Sequence, residues 1–425
     1  MKKQIGNDYY NKISDHFSED TYDTLLYSYN DAMFNYSDHY LPNKKSVKKG
    51  IKKYLGEIVS YIFYLKKCMT KTNKQVIISN AYVDLGFIEM DILVPPWIYS
   101  TKRNIFSSWK MISIVYKIKK EFDKKSIKVL VSEKFKFLIE DYELELTRMF
   151  AKFGVNALIV PNDLSFFENL SIKAARKSEV PSFVYLHGMP ARYNCIDDNR
   201  ADYLIVWGNG IKKIYIENGV VEEKIITLKH PVYSDFNNLY LESNLVNVLV
   251  LSKAVSWIPC ISTQMTYSDR SISFSYLEYL KEILKGLGLK KASLRLHPSE
   301  DSDFYLRNMS DDFFVIDKLS KTEALSKATL VIGPTSTMVL DALKSGKNYI
   351  LFDPVTDGLT LEGIELVEPF DGNSFIQLSN SFDKIKYNIE NPFENINFEK
   401  LNSFFAVEKS DKERFSNIIN HNRDS

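Results

Sequence analysis

Apolar positions along this chain recur in two rhythms. Short, nearly continuous apolar runs closed by a polar or Gly/Pro break alternate with longer stretches in which apolar residues return at helical spacing. The runs predict strands at Val76 to Ser79, Val129 to Ser132, Ala157 to Pro161, Ser182 to Leu186, Tyr203 to Trp207 and Ile225 to Leu228. Helical stretches such as Asp141 to Phe153 and Phe166 to Lys177 separate most of them. Strand and helix in alternation predict a parallel α/β domain. Ahead of it, residues 1 to 70 read as helices, Tyr54 to Met69 being a core-facing one.

The rhythm weakens over residues 232 to 246, which read as a linker, and then resumes. Asn247 to Leu251 predicts the first strand of a second unit. A loop holding Asp269 and Arg270 follows, then a helix near Tyr276 to Leu287 and strands at Ser293, at Phe313 to Asp317 and at Thr329 to Ile332. The run TLVIGPTSTMVLDALKSGKNYILFD, Thr329 to Asp353, is a strand, a turn, a short helix and another strand. An Asn-rich segment from Gly372 to Asn397 and a final helix close the chain. The expected organisation is a first domain over 1–235 with a helical N-terminal extension and a second over 245–370. Residues 371–425 form a helical segment expected to pack back on the first domain.

In a parallel sheet, ligands sit at the carboxyl ends of the strands, where loops and helix N-termini converge. In the second unit those ends carry Ser252 and Lys253, then Arg295, His297 and Pro298, then Gly333-Pro334-Thr335-Ser336-Thr337. Thr335, Ser336 and Thr337 precede a helical apolar pattern, so one of them should cap that helix. Helix-terminal N–H groups and hydroxyl donors suit an anion, above all a nucleotide phosphate. Arg295 and His297 alternate along one strand and so project to one face. In the first unit the strand ends carry Asn162-Asp163, Glu168, His187-Gly188 and His230-Pro231. Structural readings stand beside these: Asp269 can cap the helix that follows it, Glu168 can meet a helix dipole, and a strand-end histidine can simply be packed.

Composition narrows the function classes. The 425 residues include 55 Lys plus Arg against 54 Asp plus Glu, so no global field draws the chain to nucleic acid. Cys68, Cys195 and Cys260 are odd in number and far apart, which gives neither a disulfide framework nor a metal spacing. The opening MKKQIGNDYY has no apolar core of a signal peptide, and no apolar run is long enough to span a bilayer, so a cytoplasmic protein is expected. Two basic stretches, the cluster Lys44 to Lys53 and the amphipathic Trp109 to Lys120, are either solvated faces or a peripheral contact with the inner membrane.

Strand-His297-Pro298 followed by strand-Thr335-Ser336-Thr337 resembles the paired motifs with which bacterial sialyltransferases and Kdo transferases of capsule and lipopolysaccharide assembly hold CMP. The resemblance covers roughly residues 247 to 355 and implies the GT-B fold, two Rossmann-like α/β domains facing a cleft. It also implies a CMP-activated sugar donor, a lipid-linked or polymeric glycan acceptor, and no metal or other cofactor. The family's catalytic carboxylate maps to Asp269, where a single acid stands in place of the pair that the family often shows, with Glu168, Asp163 and His187 as alternates from the opposing domain. Moving a 2-keto sugar acid from CMP needs a stabilised leaving phosphate and a base for the acceptor hydroxyl, and these residues supply both. Two further readings share the scaffold. CDP-glycerol phosphotransferases also show His-Gly, His-Pro and Ser/Thr features, and nucleotide-sugar epimerases have the same two domains; a catalytically silent binding module is the remaining alternative.

Overall fold

The computed structural model describes residues 76–421, apart from segments at 99–106, 125–128, 190–199, 237–239, 253–255, 261–264 and 361–365 and a few single or paired positions. The helices expected over residues 1 to 70, with the lysine cluster at 44 to 53, and Lys253 and Pro298 fall outside the described residues.

The first sheet is built from β1 (Val76–Ser79), β2 (Asp91–Leu93), β3 (Val155–Val160), β4 (Ser182–Tyr185), β5 (Tyr203–Val206) and β6 (Ile225–Thr227), in the order β2-β1-β3-β4-β5-β6. Every pairing is parallel. Between β2 and β3 lie α1 (Trp109–Phe122) and α2 (Glu133–Phe153); α3 (Phe166–Lys177) joins β3 to β4, and α4 (Asn209–Glu217) joins β5 to β6. β3 and β4 are buried along their whole length, which accounts for their nearly continuous apolar runs.

The strand expected at Val129 to Ser132 falls partly outside the described residues, and its two described ends are not strand: Val129 is helical, and Ser132 donates through its N–H and its hydroxyl to the Val129 carbonyl at 3.1 and 2.6 Å while its Oγ accepts from Phe135 N. Ser132 is the N-cap of a 21-residue helix that ends at Gly154, whose φ of 58° returns the chain into β3. The three-residue β2 passes unnoticed in the sequence because half of it faces outward.

The second sheet comprises β7 (Val248–Leu251), β10 (Ala292–Arg295), β11 (Phe314–Ile316), β12 (Leu330–Gly333), β13 (Tyr349–Phe352) and β16 (Leu378–Ser379), ordered β11-β10-β7-β12-β13-β16 and again parallel. The stretch expected as a loop before the helix is an antiparallel hairpin instead, β8 (Ser256–Cys260) with β9 (Met265–Asp269), and a second small hairpin joins β14 (Val355–Thr356) to β15 (Leu359–Thr360). Helices α5 (Arg270–Gly286), α6 (Ser302–Asn308), α7 (Lys321–Lys327) and α8 (Met338–Lys344) connect the strands.

Beyond β16 come α9 (Phe382–Glu390), α10 (Pro392–Asn395), α11 (Phe398–Phe404) and α12 (Lys409–His421). The Asn-rich segment forms the first two of these, and two of its asparagines are buried: Asn395 donates to Asn348 Oδ1 and the Tyr349 carbonyl, and Asn388 donates to Ser379 Oγ. α12 crosses to the first sheet, where Asp411 accepts from Thr227 N at 2.8 Å, Arg414 donates to the Ile225 carbonyl and Phe415 packs on Phe183.

Candidate functional site

The order of each sheet fixes a point where successive crossovers leave in opposite directions, between β1 and β3 in the first and between β7 and β12 in the second. At the second point β7 is followed by Ser252, which is buried. Its Oγ accepts from His297 N at 3.0 Å and donates to Glu300, whose Oε2 also accepts from His297 N at 3.0 Å. Glu300 also receives the Tyr305 hydroxyl. Ser252 and Glu300 therefore brace the backbone of the His297 loop, leaving the imidazole at the surface. Desolvation pulls the His297 pKa below the ordinary histidine value, with Glu300 opposing it.

Arg295 does not share that task. Its Nη1 donates to Asp317 Oδ2 at 2.6 Å and to the Leu319 carbonyl at 3.1 Å, which ties β10 to the loop after β11. The expectation that Arg295 and His297 address one ligand together is corrected: a charge-assisted bond to a nearly buried carboxylate holds the guanidinium to the protein.

The turn after β12 is shaped by Tyr349. This fully buried residue donates from its hydroxyl to the Pro334 carbonyl at 2.6 Å, and a Cβ on Gly333 would come 2.4 Å from the same hydroxyl and 2.9 Å from Leu251 Cδ1. Glycine is required there by space. Ser336 Oγ then accepts from Met338 N at 3.2 Å at the start of α8, while Thr337, at the cap position, makes no capping bond with its side chain. Thr335 and Ser336 lie half-buried in the turn.

The Thr337 hydroxyl crosses to the other domain and accepts from Met189 N at 3.0 Å. It also lies 3.3 Å from where a Cβ of Gly188 would be. The strand end after β4 thus meets the strand end after β12, and the carboxyl edges of the two parallel sheets come together. The architecture is of the GT-B type. Further contacts follow the same seam: Lys344 Nζ sits 5.2 Å from the Phe236 ring centroid, and after burial the Asp341 carboxylate helps push the Tyr233 hydroxyl pKa upward.

On the first-domain side of this junction stands His187. It is exposed, and its Nδ1 lies 3.0 Å from the Pro161 carbonyl. A carbonyl can only accept, so Nδ1 is the donor, and in the neutral ring that leaves the lone pair on Nε2. The carboxylates expected beside it are placed otherwise. Glu168 is buried and accepts from Trp97 Nε1 at 3.0 Å; Asp163 is fully buried and accepts from Arg200 N at 2.6 Å. Both serve loop packing, which corrects their reading as cleft carboxylates. Asp269 is the last residue of β9, paired in register with Ser256, immediately before α5, and not part of a loop.

His230, the other strand-end histidine of the first sheet, is a packed one. Its Nδ1 accepts from Val232 N and Tyr233 N, and the ring stacks on Tyr233 at 4.3 Å between centroids. Two residues escaped the sequence reading. Glu300 braces the His297 loop, and its position three residues past the histidine was the available signal. Asp84 lies exposed after β1, accepting from Gly86 N, and after burial it is the next cause raising the pKa of Tyr185 at the end of β4. The Asp-Leu-Gly turn that follows β1 could have marked it.

No family model and no curated protein matches the sequence. Among solved structures the chain is similar to the UDP-N-acetylglucosamine 2-epimerase of Rickettsia bellii, with 12% identity, a TM-score of 0.46 and coverage of 82% of this chain and 98% of that one. It is similar to MurG of Acinetobacter baumannii, with 11% identity, a TM-score of 0.42 and coverage of 81% and 99%. It is also similar to the wall teichoic acid polymerase TagF, with 12% identity, a TM-score of 0.41 and coverage of 88% and 97%.

Proposed function

We propose that this protein is a glycosyltransferase that holds a nucleotide-activated sugar at the carboxyl edge of the second sheet and passes the sugar to a glycan hydroxyl presented from the first. The observation that carries the reading is the Met189 to Thr337 hydrogen bond, because it joins the strand end that bears His187 to the hydroxyl-rich turn suited to a phosphate. The donor in this reading is a CMP-activated 2-keto sugar acid of the Kdo or sialic acid type, as the His297-Pro298 and Thr335 to Thr337 resemblance implies. The acceptor is a lipid-linked or polymeric surface glycan, such as an O-antigen or capsule.

The acceptor oxygen attacks the anomeric carbon as the bond from that carbon to the phosphate oxygen breaks. CMP leaves with the bonding electrons, and the acceptor proton passes to His187 Nε2. The charge growing on the phosphate is met by the Ser336 and Thr337 hydroxyls, the turn backbone and His297, which can bond it either neutral or protonated. No step calls for a metal, and added EDTA is expected to leave the rate unchanged. Asp269 remains the family's carboxylate position and is tested beside His187.

The geometry of His187 also favours a second reading, transfer of an alditol phosphate from a CDP-linked donor with the same base. Unfolding followed with CMP, CMP-Kdo, CMP-sialic acid and CDP-glycerol distinguishes them, since a donor at a hundred times its dissociation constant stabilises by about 2.7 kcal/mol. His187→Asn is expected to keep that protection while transfer falls by about 10² to 10⁴. If no CMP- or CDP-linked compound protects, or if His187→Asn transfers at the wild-type rate, the reading is wrong.

A further inference from the structure

We infer that the outward face of α1 and α2 is a docking surface for an anionic lipid bilayer, through which the protein reaches a membrane-borne acceptor. The inference deepens the proposed transfer to a lipid-linked glycan and rests on that reading only for the acceptor; the surface itself stands on the geometry below.

The two helices run antiparallel. Ser108 Oγ donates to Glu145, Lys110 lies 3.9 and 3.7 Å from Asp141 and Glu145, and Lys134 lies 2.8 Å from Glu121. These pairs fix the register between the helices and place Trp109 level with Leu144 and Tyr116 level with Phe137. Within each helix the two residues are seven apart, so they share a stripe. All four are exposed, at 58% for Trp109, 45% for Tyr116, 62% for Phe137 and 48% for Leu144. The opposite face of α1 buries Met111, Ile114, Val115 and Ile118, and that of α2 buries Phe135, Leu138, Tyr142, Leu146 and Met149, so the core does not account for the four outward ones.

Charge tells what the face meets. The exposed positions of α1 are Trp109, Lys110, Tyr116, Lys117 and Lys120, aromatics and lysines with no acid, since its one carboxylate, Glu121, is buried against Lys124 and Lys134. On α2 the exposed Lys134, Arg148 and Lys152 balance Glu133, Glu140 and Asp141. Amphipathic rings beside flexible ammonium groups suit the headgroup region, where the rings enter the acyl boundary and the lysines stay among the phosphates. A protein partner would not need that segregation.

Position completes the case. α2 passes directly through Gly154 into β3, so in a parallel sheet its first turn lies at the carboxyl edge, as does the last turn of its antiparallel neighbour α1. Lys119, near that end, donates to the carbonyl of Trp97, which follows β2. The Tyr116 and Phe137 end of the patch thus borders the edge that carries His187.

Co-sedimentation of the full chain with phosphatidylglycerol vesicles and with phosphatidylcholine vesicles tests this without any donor present. Binding to the anionic vesicles alone is expected, weakened by salt. Trp109→Ala with Tyr116→Ala should abolish it, and Lys117→Glu with Lys120→Glu should weaken it by about tenfold or more. Reversing the exposed Lys290 and Lys291 of the second domain is the control and should change little. Equal loss in that control, equal binding to neutral vesicles, or no binding at all would overturn the inference. A dimer that the aromatic double variant dissolves would assign the face to a second copy instead. Any of these results leaves the transfer assay, read on a soluble acceptor, to judge the catalytic reading separately.

Discussion

His187 and His230 each end a strand of the first sheet, and their surroundings give them opposite characters. His187 is exposed, and its Nδ1 faces the Pro161 carbonyl, which makes Nδ1 a hydrogen donor and leaves Nε2 toward solvent-side partners in the proposed transfer. His230 is buried and receives two backbone N–H groups at Nδ1; burial first, then the positive Lys321, lowers its pKa to about 4. In the unfolded chain the ring titrates near the ordinary 6.5. Between those values the unfolded state binds the extra proton, so stability is fully present above about pH 6.5 and declines as pH falls toward 4. The loss from this residue approaches about 3 kcal/mol. Urea midpoints at pH 7 and pH 4.5 should separate widely for the wild type, and His230→Asn, which can still accept through its amide oxygen, should show the shallower dependence. The sequence made both histidines visible. It could not tell them apart, because the difference lies in burial and in the partner of Nδ1, which for His187 is the Pro161 carbonyl at another strand's end and for His230 the N–H groups of its own turn.

At the scale of elements, the strand-turn-helix from Leu330 to Lys344 is where sequence and structure agree most closely. The unbroken run Leu330 to Gly333 is a fully buried strand, and the break Gly333-Pro334 with its hydroxyl cluster opens a helix as the apolar spacing predicts. What the pattern could not show is why the first residue of the break is glycine. Tyr349, one strand over, occupies the space where a side chain would stand. Gly333→Ala should therefore destabilise by about 1 to 3 kcal/mol, the range of overpacked cores. Combining it with Tyr349→Phe should cost less than the two single changes added, because the hydroxyl that clashes is gone; additive losses by denaturant unfolding would contradict that account. Elements whose partners are local were the legible ones. The β8–β9 hairpin was not, since a short antiparallel pair in a segment rich in Ser, Thr and Tyr carries no period-two contrast.

Across the whole molecule, the first domain is completed by the end of the chain. Asp411 on α12 accepts both the N–H and the hydroxyl of Thr227 on β6, and Phe404 fills the space against Gly208 and Gly210 at the start of α4. Removing the carboxylate leaves buried donors without an acceptor, so Asp411→Ala should cost about 1 to 3 kcal/mol. Hydrogen exchange should then quicken in β5 and β6 while β7, β10 and β12 stay protected. Equal loosening in both sheets would mean that the two domains unfold as one unit.

Periodicity and strand-end chemistry were enough to identify two parallel α/β units and the loops where chemistry gathers, because backbone hydrogen bonding and burial impose those patterns on neighbouring residues whatever lies further away. Tertiary structure alone decided which of the gathered side chains remain available. Arg295, Glu168 and Asp163 read as candidates from their positions, and each is held by a partner 22 to 71 residues distant along the chain. The meeting of Gly188 and Met189 with Thr337, 148 residues beyond Met189, is likewise a product of how the two sheets dock. Such contacts join segments whose spacing in the chain carries no period, and no local pattern records them.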